Sequence, residues 1–141
     1  STNTLYDKLL DQVRADAEGF QPLSRAYAIP REDPTRAVVL QSAAEKACTA
    51  PLEIMALCAA ALSAAGHLAE IGSRLAVSDA GCAAAILRGA LEAAALNVLV
   101  NTKTMTDRSA ADHLNARCFA LLDQGRTDGE RIFCAVRDQL V

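Results

Sequence analysis

The sequence predicts an all-α fold, an up-and-down antiparallel bundle of about six helices, and three observations predict it. Alanine-rich runs such as 59–61, 83–85 and 93–95 recur along the chain, and alanine has the highest helix propensity. Apolar residues return at intervals of three and four, and no run shows the sustained alternation of period two that indicates a strand. The predicted connections are short, which favours antiparallel neighbours.

The first three predicted helices are bounded by prolines and a glycine. The opening helix runs until Pro30, which cannot continue it. Asp33-Pro34 predicts the start of a second helix, because a capping carboxylate is followed by proline in the first turn. That helix runs to Thr49, and Pro51 opens a third helix that continues to Gly72.

The second half of the chain predicts three more helices. Ser78-Asp79 is expected to cap a fourth helix that ends near Asn101. A fifth helix starts at 106–107, and Gly125 is expected to end it. The pattern Thr-x-x-Glu at 127–130 is a capping box and predicts a sixth helix.

Composition predicts one domain, spanning residues 1–141, that associates with a second copy. Hydrophobic residues make up 52% of the 141 residues, which suits a sizeable core, but aromatic residues make up only 4%. Alanine must therefore fill much of the core, and it buries little apolar area per residue. Association would recover buried area, so we expect a homodimer.

Charge and hydropathy argue against nucleic-acid and membrane partners. The net charge is −3 and the two signs are mixed, which gives no basic footprint for nucleic acid. The segment 51–69 is long and mostly apolar, but it is rich in alanine and contains Glu53 and His67. We interpret it as a core helix. The first residues have neither the basic nor the apolar region of a signal peptide.

Five cysteines lie in helical patterns without any C-x-x-C spacing. An odd number of scattered cysteines is typical of buried free thiols in a reducing compartment, so we expect a cytoplasmic protein. His67 and His113 have no carboxylate or cysteine at ligand spacing, and we expect no metal site.

Two asparagines on the fourth helix depart from its apolar surroundings. Asn97 and Asn101 are one turn apart and therefore share a face. Burying an amide without a partner costs about 1–3 kcal/mol, so two amides on one face need a reason. A hydrogen bond to a neighbouring helix, or a C-terminal cap at Asn101, is one explanation, and a functional site is the other.

Other polar residues have simple helical explanations beside functional ones. Asp79 in a first turn complements the helix dipole. Asp16 lies on the opening helix one turn before Phe20. Arg36, near the start of the second helix, could meet an anion.

The segments 77–81 and 95–101 together resemble the cyclodeaminase/cyclohydrolase family, which includes bacterial methenyltetrahydrofolate cyclohydrolase and the formimidoyltetrahydrofolate cyclodeaminase domain. Members typically show Ser-Asp-x-Gly at a helix start and Ala-x-Asn-Val-x-x-Asn some sixteen residues later; this chain has Ser78-Asp79-Ala80-Gly81 and Ala95-Leu96-Asn97-Val98-Leu99-Val100-Asn101. Asp16-Ala17-Glu18-Gly19-Phe20 is similar to the family's Asp-x-x-x-Phe. The likeness spans nearly the whole chain.

Two departures from the family pattern are visible. The family normally begins with roughly fifty further residues that hold a Pro-Gly-Gly-Gly loop, and we expect this chain to lack that glycine-rich segment. Members also tend to have Gly-Asn-x-Asn before Ser-Asp, whereas 72–77 reads Gly-Ser-Arg-Leu-Ala-Val. We expect either a fragment of a longer protein or a reduced member of the family.

The resemblance implies a folate enzyme that acts on the carbon bridging N5 and N10 of tetrahydrofolate. The reaction would be hydrolysis of 5,10-methenyltetrahydrofolate or deamination of 5-formiminotetrahydrofolate. Both pass through a tetrahedral carbon and need a proton shuttle rather than a metal. On this reading Asp79 is the acid or base, or contacts the pterin ring, and Asn97 and Asn101 orient water or substrate.

The same resemblance implies the substrate-binding residues. Arg36 or Lys103 would meet the anionic glutamate tail through a charge-assisted hydrogen bond. Asp16 and Ser78 are the remaining candidates for contact with the tetrahydrofolate derivative. The alternative is a non-catalytic helical scaffold, or a folate-binding remnant, that dimerises through alanine-rich faces.

Overall fold

A computed structural model describes residues 2–72 and 74–141, and these residues form five helices and no strand. The helices are α1 (Thr2–Tyr27), α2 (Arg36–Ala47), α3 (Thr49–Ile71), α4 (Arg74–Lys103) and α5 (Arg108–Leu140). A single residue, Cys48, separates α2 from α3, and its own backbone is helical at φ −78° and ψ −16°. The two helices therefore form one nearly continuous rod. The predicted all-α bundle is confirmed, with fewer helices than the six expected.

The sixth helix was a wrong prediction, because α5 runs through Gly125 without a break. A Cβ on Gly125 would overlap the side chain of Leu91 on α4, and one on Gly129 would lie 3.0 Å from the Cβ of Arg88. These glycines let α4 and α5 approach each other closely. Packing therefore outweighs the tendency of glycine to end a helix.

The start of α4 also differs from the prediction. The helix begins at Arg74, so Ser78 and Asp79 lie in its second turn and do not cap it. Val77 in the first turn is buried in the core, and that burial favours extending the helix toward the N-terminus. Ser73, which precedes the helix, lies outside the described residues.

Of two other predicted helix starts, one follows the sequence and one does not. Asp107 caps α5 as expected, its side chain accepting a hydrogen bond from the Ala110 amide at 3.0 Å. Asp33 instead accepts from the amide of Thr35 at 2.8 Å, and α2 begins one residue after Thr35. The Asp33 carboxylate thus fixes the turn that leads into α2 rather than capping the helix.

The core is built around α3, which contacts α1, α4 and α5. Its residues Leu52, Met55 and Leu62 are fully buried. Three of the five cysteines lie inside, but Cys82 is exposed and Cys134 half-buried. The expectation that all five thiols are buried was therefore wrong at Cys82, because that residue lies on the outer face of α4.

Two helical stretches are long and apolar enough to cross a membrane by length and composition alone, Arg36–Ile71 and Ala76–Lys103. The first contains α3, the core helix of the bundle, as the sequence predicted. The second contains Arg88 and Glu92 near its middle, and both form ion pairs with side chains of α5.

The outer face of α4 is apolar and uncovered within one chain. The large side chains Ile86, Leu96 and Val100 are 71%, 67% and 58% exposed. Together with Cys82, Gly89 and Ala93 they follow the three- and four-residue spacing of one helix face. We call this face the α4 outer stripe; its members are Cys82, Ile86, Gly89, Ala93, Leu96 and Val100.

Candidate functional site

Three of the predicted site residues meet in one pocket of about 140 Å³ between α1, the α2–α3 junction and the C-terminal half of α4. The residues that line it are Asp16, Phe20, Ala47, Pro51, Asn97, Val100 and Asn101. Carboxylate, amide and aromatic groups are thereby brought together from segments far apart in the sequence. Such a concave site with a few convergent polar groups is the usual form of a small-molecule site.

Helical spacing explains how each wall of this pocket is built. Asp16 and Phe20 are four residues apart on α1, and Asn97 and Asn101 are four residues apart on α4. Residues at this spacing lie one above the other on the same face. The rod formed by α2 and α3 supplies the floor at its junction, where Pro51 is buried.

Asn101 has a structural partner as well as a place in the pocket. Its Nδ2 donates a hydrogen bond to the carbonyl of Ala47 at 3.2 Å, which ties α4 to the end of α2. The helix-to-helix hydrogen bond considered from the sequence is therefore present. Asn97 is exposed and also lines the pocket, so it is the asparagine better placed to meet a ligand.

Asp79 and Ser78 lie far from this pocket. Asp79 precedes Asn97 by eighteen residues on the same helix, which separates them by about 27 Å at 1.5 Å per residue. Asp79 is exposed near the N-terminal end of α4. One chain therefore does not bring Asp79 together with Asn97 and Asn101.

Neither of the two predicted cationic residues lines the pocket. The Arg36 guanidinium donates through Nε to the carbonyl of Ile29 at 2.9 Å and so secures the connection between α1 and α2. Lys103 is exposed in the last turn of α4, where a cation complements the helix dipole. Their proposed role toward an anionic tail stays a prediction.

Gln41 on α2 has a structural role. Its Oε1 accepts hydrogen bonds from the backbone amides of Thr106 at 2.8 Å and Asp107 at 3.0 Å. These bonds hold the turn between α4 and α5 against α2. Phe20, Pro51 and Val100 were missed as pocket residues, although the spacing of Phe20 from Asp16 was a signal.

A second and larger cavity, of about 360 Å³, lies between α4 and α5. Sequence reasoning missed it, because its small residues Gly89 and Gly129 come from different helices. Arg88 at this cavity pairs with Glu130 and with Glu92. The hydrogen bond from Arg88 lowers the pKa of Glu130 below its usual value. Arg126 also pairs with Glu92, so these two cations and two anions neutralise one another.

Among the residues that the structure describes, no three His, Cys, Asp or Glu side chains are grouped so that they could hold a metal ion. His67 and His113 are both exposed. His67 lies 3.8 Å from the carboxylate of Glu70, one turn along α3.

Comparison with known families and proteins finds consistent similarity. A family model described as formiminotransferase-cyclodeaminase matches residues 1–120. A methenyltetrahydrofolate cyclohydrolase from Methylorubrum extorquens is 32% identical over 136 residues, which cover 94% of this chain and 65% of that protein. A formimidoyltransferase-cyclodeaminase from Sus scrofa is 32% identical over 124 residues, covering 85% of this chain and 23% of that protein.

The fold has a counterpart among solved structures. A crystal structure of formiminotetrahydrofolate cyclodeaminase from Thermotoga maritima superposes with a TM-score of 0.87 at 21% sequence identity. The superposition covers 99% of this chain and 67% of that one. This chain thus spans about two thirds of the cyclohydrolase and about a quarter of the mammalian protein.

Proposed function

Because the chain belongs to the formiminotransferase-cyclodeaminase family, we propose that it acts on the one-carbon unit that bridges N5 and N10 of tetrahydrofolate. The observation that carries the proposal is the pocket in which Asp16, Asn97 and Asn101 meet. Each of these residues belongs to a motif that the family resemblance singles out. The names of the relatives support the substrate class, a tetrahydrofolate derivative.

Two reactions fit this substrate, and both need the same polar groups. In hydrolysis, water adds to the methenyl carbon, the bond from that carbon to N5 breaks, and N5 takes a proton. In deamination, N10 attacks the formimino carbon and ammonia leaves, which closes the methenyl ring. Each tetrahedral intermediate needs a group that moves a proton and groups that orient the attacking atom. Asp16 can move the proton, and Asn97 can orient water or substrate.

The proposal requires no metal, because the methenyl carbon already carries positive charge and is electrophilic. We further propose a cytoplasmic location, supported by five cysteines that form no disulfide in the described residues. A chelator should leave turnover unchanged, and cell fractionation tests the location.

The function is tested by measuring the loss of absorbance of the methenyl chromophore when protein is added to 5,10-methenyltetrahydrofolate. Asp16→Asn should lower the rate by about 10²-fold or more, since a positioned acid or base contributes that much. Asp11→Asn is the matched control, because Asp11 is an exposed carboxylate on the same helix and does not line the pocket. Ammonia release from 5-formiminotetrahydrofolate, with the same variants, tests the second reaction. Failure of the wild-type protein to accelerate either reaction would reject the enzyme proposal.

A folate-binding remnant without turnover is the second candidate, and the departure of 72–77 from the family's Gly-Asn-x-Asn favours it. The pocket in one chain, at about 140 Å³, is smaller than the usual 300–1,000 Å³ of a ligand pocket, so both candidates need a further wall. Calorimetry separates the two candidates: binding of a folate without turnover supports the remnant, and turnover rejects it.

We also propose that the protein is a homodimer that buries the α4 outer stripe. Large apolar side chains exposed along one helix face are typical of an interface. The alanine-rich core supports the same proposal, because alanine buries little area per residue and association would recover some of it. Covering the stripe with a second copy also explains why α4 is apolar on both its inner and outer sides.

A further inference from the structure

Asp79 and Asn97 share a face of α4 although they lie about 27 Å apart. Eighteen residues correspond to five turns of 3.6 residues, so the two side chains leave the helix in the same direction. Both are exposed. A pocket of one chain cannot contain both residues, but two copies of α4 running in opposite directions can bring them together.

The α4 outer stripe is nearly symmetric about Gly89. Cys82 and Leu96 lie seven residues before and after it, and Ile86 and Ala93 lie three before and four after. Gly89 is exposed, and a Cβ built on it meets nothing within 4 Å. A small residue at the centre of a helix face lets a second helix approach closely. The stripe therefore has the pattern of a two-fold antiparallel contact.

The helix dipoles favour the antiparallel direction over the parallel one. Antiparallel docking places the N-terminal end of one α4, with its partial positive charge, beside the C-terminal end of the other, with its partial negative charge. Parallel docking would place like partial charges side by side, which is unfavourable.

We propose that a second copy of this chain docks antiparallel along the α4 outer stripe and delivers Asp79 of the partner subunit to the pocket formed by Asp16, Asn97 and Asn101. With the two-fold axis near Gly89, the partner's Asp79 lies within about 3 Å, measured along the helix, of the level of Asn97. The inference rests on the proposed function: hydrolysis removes a proton from the attacking water and delivers one to N5, and two carboxylates can divide these transfers.

The position of the pocket agrees with this arrangement. Asn97 and Val100 line the pocket, and Val100 is also a member of the stripe, so a copy that covers the stripe forms part of the pocket wall. The two-fold symmetry produces two identical sites per dimer, each with residues of both copies. An added wall also makes the small single-chain pocket larger and more enclosed.

Cysteine cross-linking tests the docking direction independently of turnover. In a Cys82→Ser background, the double variant Asp79→Cys/Asn97→Cys should form a covalent dimer with copper-phenanthroline or a short bismaleimide. Within one chain the two positions are too far apart to be joined. The single variants Asp79→Cys and Asn97→Cys should not cross-link, because antiparallel docking separates each position from its own copy. The background protein, which retains Cys134, is the blank.

Three different results would each overturn the proposed docking. Cross-linking of a single variant with itself indicates parallel docking, and a dimer in which the double variant does not cross-link uses another surface. If the protein is monomeric and floats with phospholipid vesicles, the α4 outer stripe binds a membrane instead of a second copy.

Mixing variants tests the shared site itself. Asp79→Ala and Asn97→Ala should each lose activity, and exchange of their subunits should restore about one quarter of the wild-type rate, since half of the dimers then hold one intact site. No recovery despite confirmed subunit exchange overturns the shared site. If the wild-type protein is inactive but the double cysteine variant cross-links as expected, the proposed function fails and the docking stands.

Discussion

At the scale of single residues, Cys48 shows how burial changes chemistry at the junction of α2 and α3. Its thiol is fully buried and donates a weak hydrogen bond to the carbonyl of Val98 at 3.8 Å. Burial, with smaller contributions from the nearby Cys118 and Glu45, raises the pKa of Cys48 to about 11. The folded state therefore holds this thiol in its protonated form.

The consequence is a loss of stability at alkaline pH. Because the pKa is higher in the folded state than its unfolded value of 9.0, the stabilisation is complete below pH 9 and is lost as pH rises toward 11. The loss should be about 2–3 kcal/mol. Urea unfolding between pH 8 and pH 11, compared with Cys48→Ala, isolates this contribution from other titrating groups. Identical pH dependence in the two proteins would contradict the explanation.

At the scale of helices, the contact between α4 and α5 depends on glycines in the interior of α5. Gly125 and Gly129 are both buried, and both face side chains of α4. Neither has the positive φ that would require a glycine. Glycine is needed at these positions because it has no Cβ, and at Gly125 this lets Leu91 fill the space beside the helix.

Gly125→Ala should destabilise the protein by about 1–3 kcal/mol, the usual cost of overpacking a core. Gly19→Ala is the matched control, because an added Cβ on α1 would lie 3.8 Å from its nearest neighbour, an ordinary contact. That variant should be neutral or more stable by up to about 1 kcal/mol, since alanine favours helix. Denaturant unfolding measures both. Equal stability of the two variants would show that α4 can move away from α5 at little cost.

At the scale of the whole molecule, the apolar residues are divided between a core around α3 and the outer stripe of α4. The core uses small side chains, so helices approach closely and little area is buried per residue. The stripe retains large apolar side chains outside that core. A second copy would bury both the stripe and the open side of the pocket.

Ile86→Lys should therefore convert the dimer to a monomer without unfolding it, because a buried lysine at the interface is costly and an exposed one is not. Val38→Lys is the control: Val38 is 73% exposed, close to the 71% of Ile86, but lies on α2 away from the stripe. Light scattering measures the mass, and circular dichroism checks the fold. A wild-type protein that remains monomeric at high concentration would reject the homodimer, and a dimer that persists in Ile86→Lys would exclude this face.

Sequence by itself determined the helical fold and much of the pocket. Apolar spacing and alanine content predict helices, because both act over a few neighbouring residues. The same periodicity places Asn97 above Asn101 on one face. It does not reveal that Arg36, expected to bind an anionic group, holds a backbone carbonyl of the α1–α2 connection, or that Gln41 holds backbone amides of the turn before α5.

Tertiary structure decided the features that depend on residues far apart in the chain. Whether Gly125 ends a helix or admits Leu91 depends on the presence of α4, which no local pattern encodes. Asp79 and Asn97 belong to one motif, yet the straight run of α4 keeps them about 27 Å apart. Asp16 joins the asparagines because α1 lies against the rod of α2 and α3 beside α4. Local spacing determines which face a side chain occupies, and packing determines what that face meets.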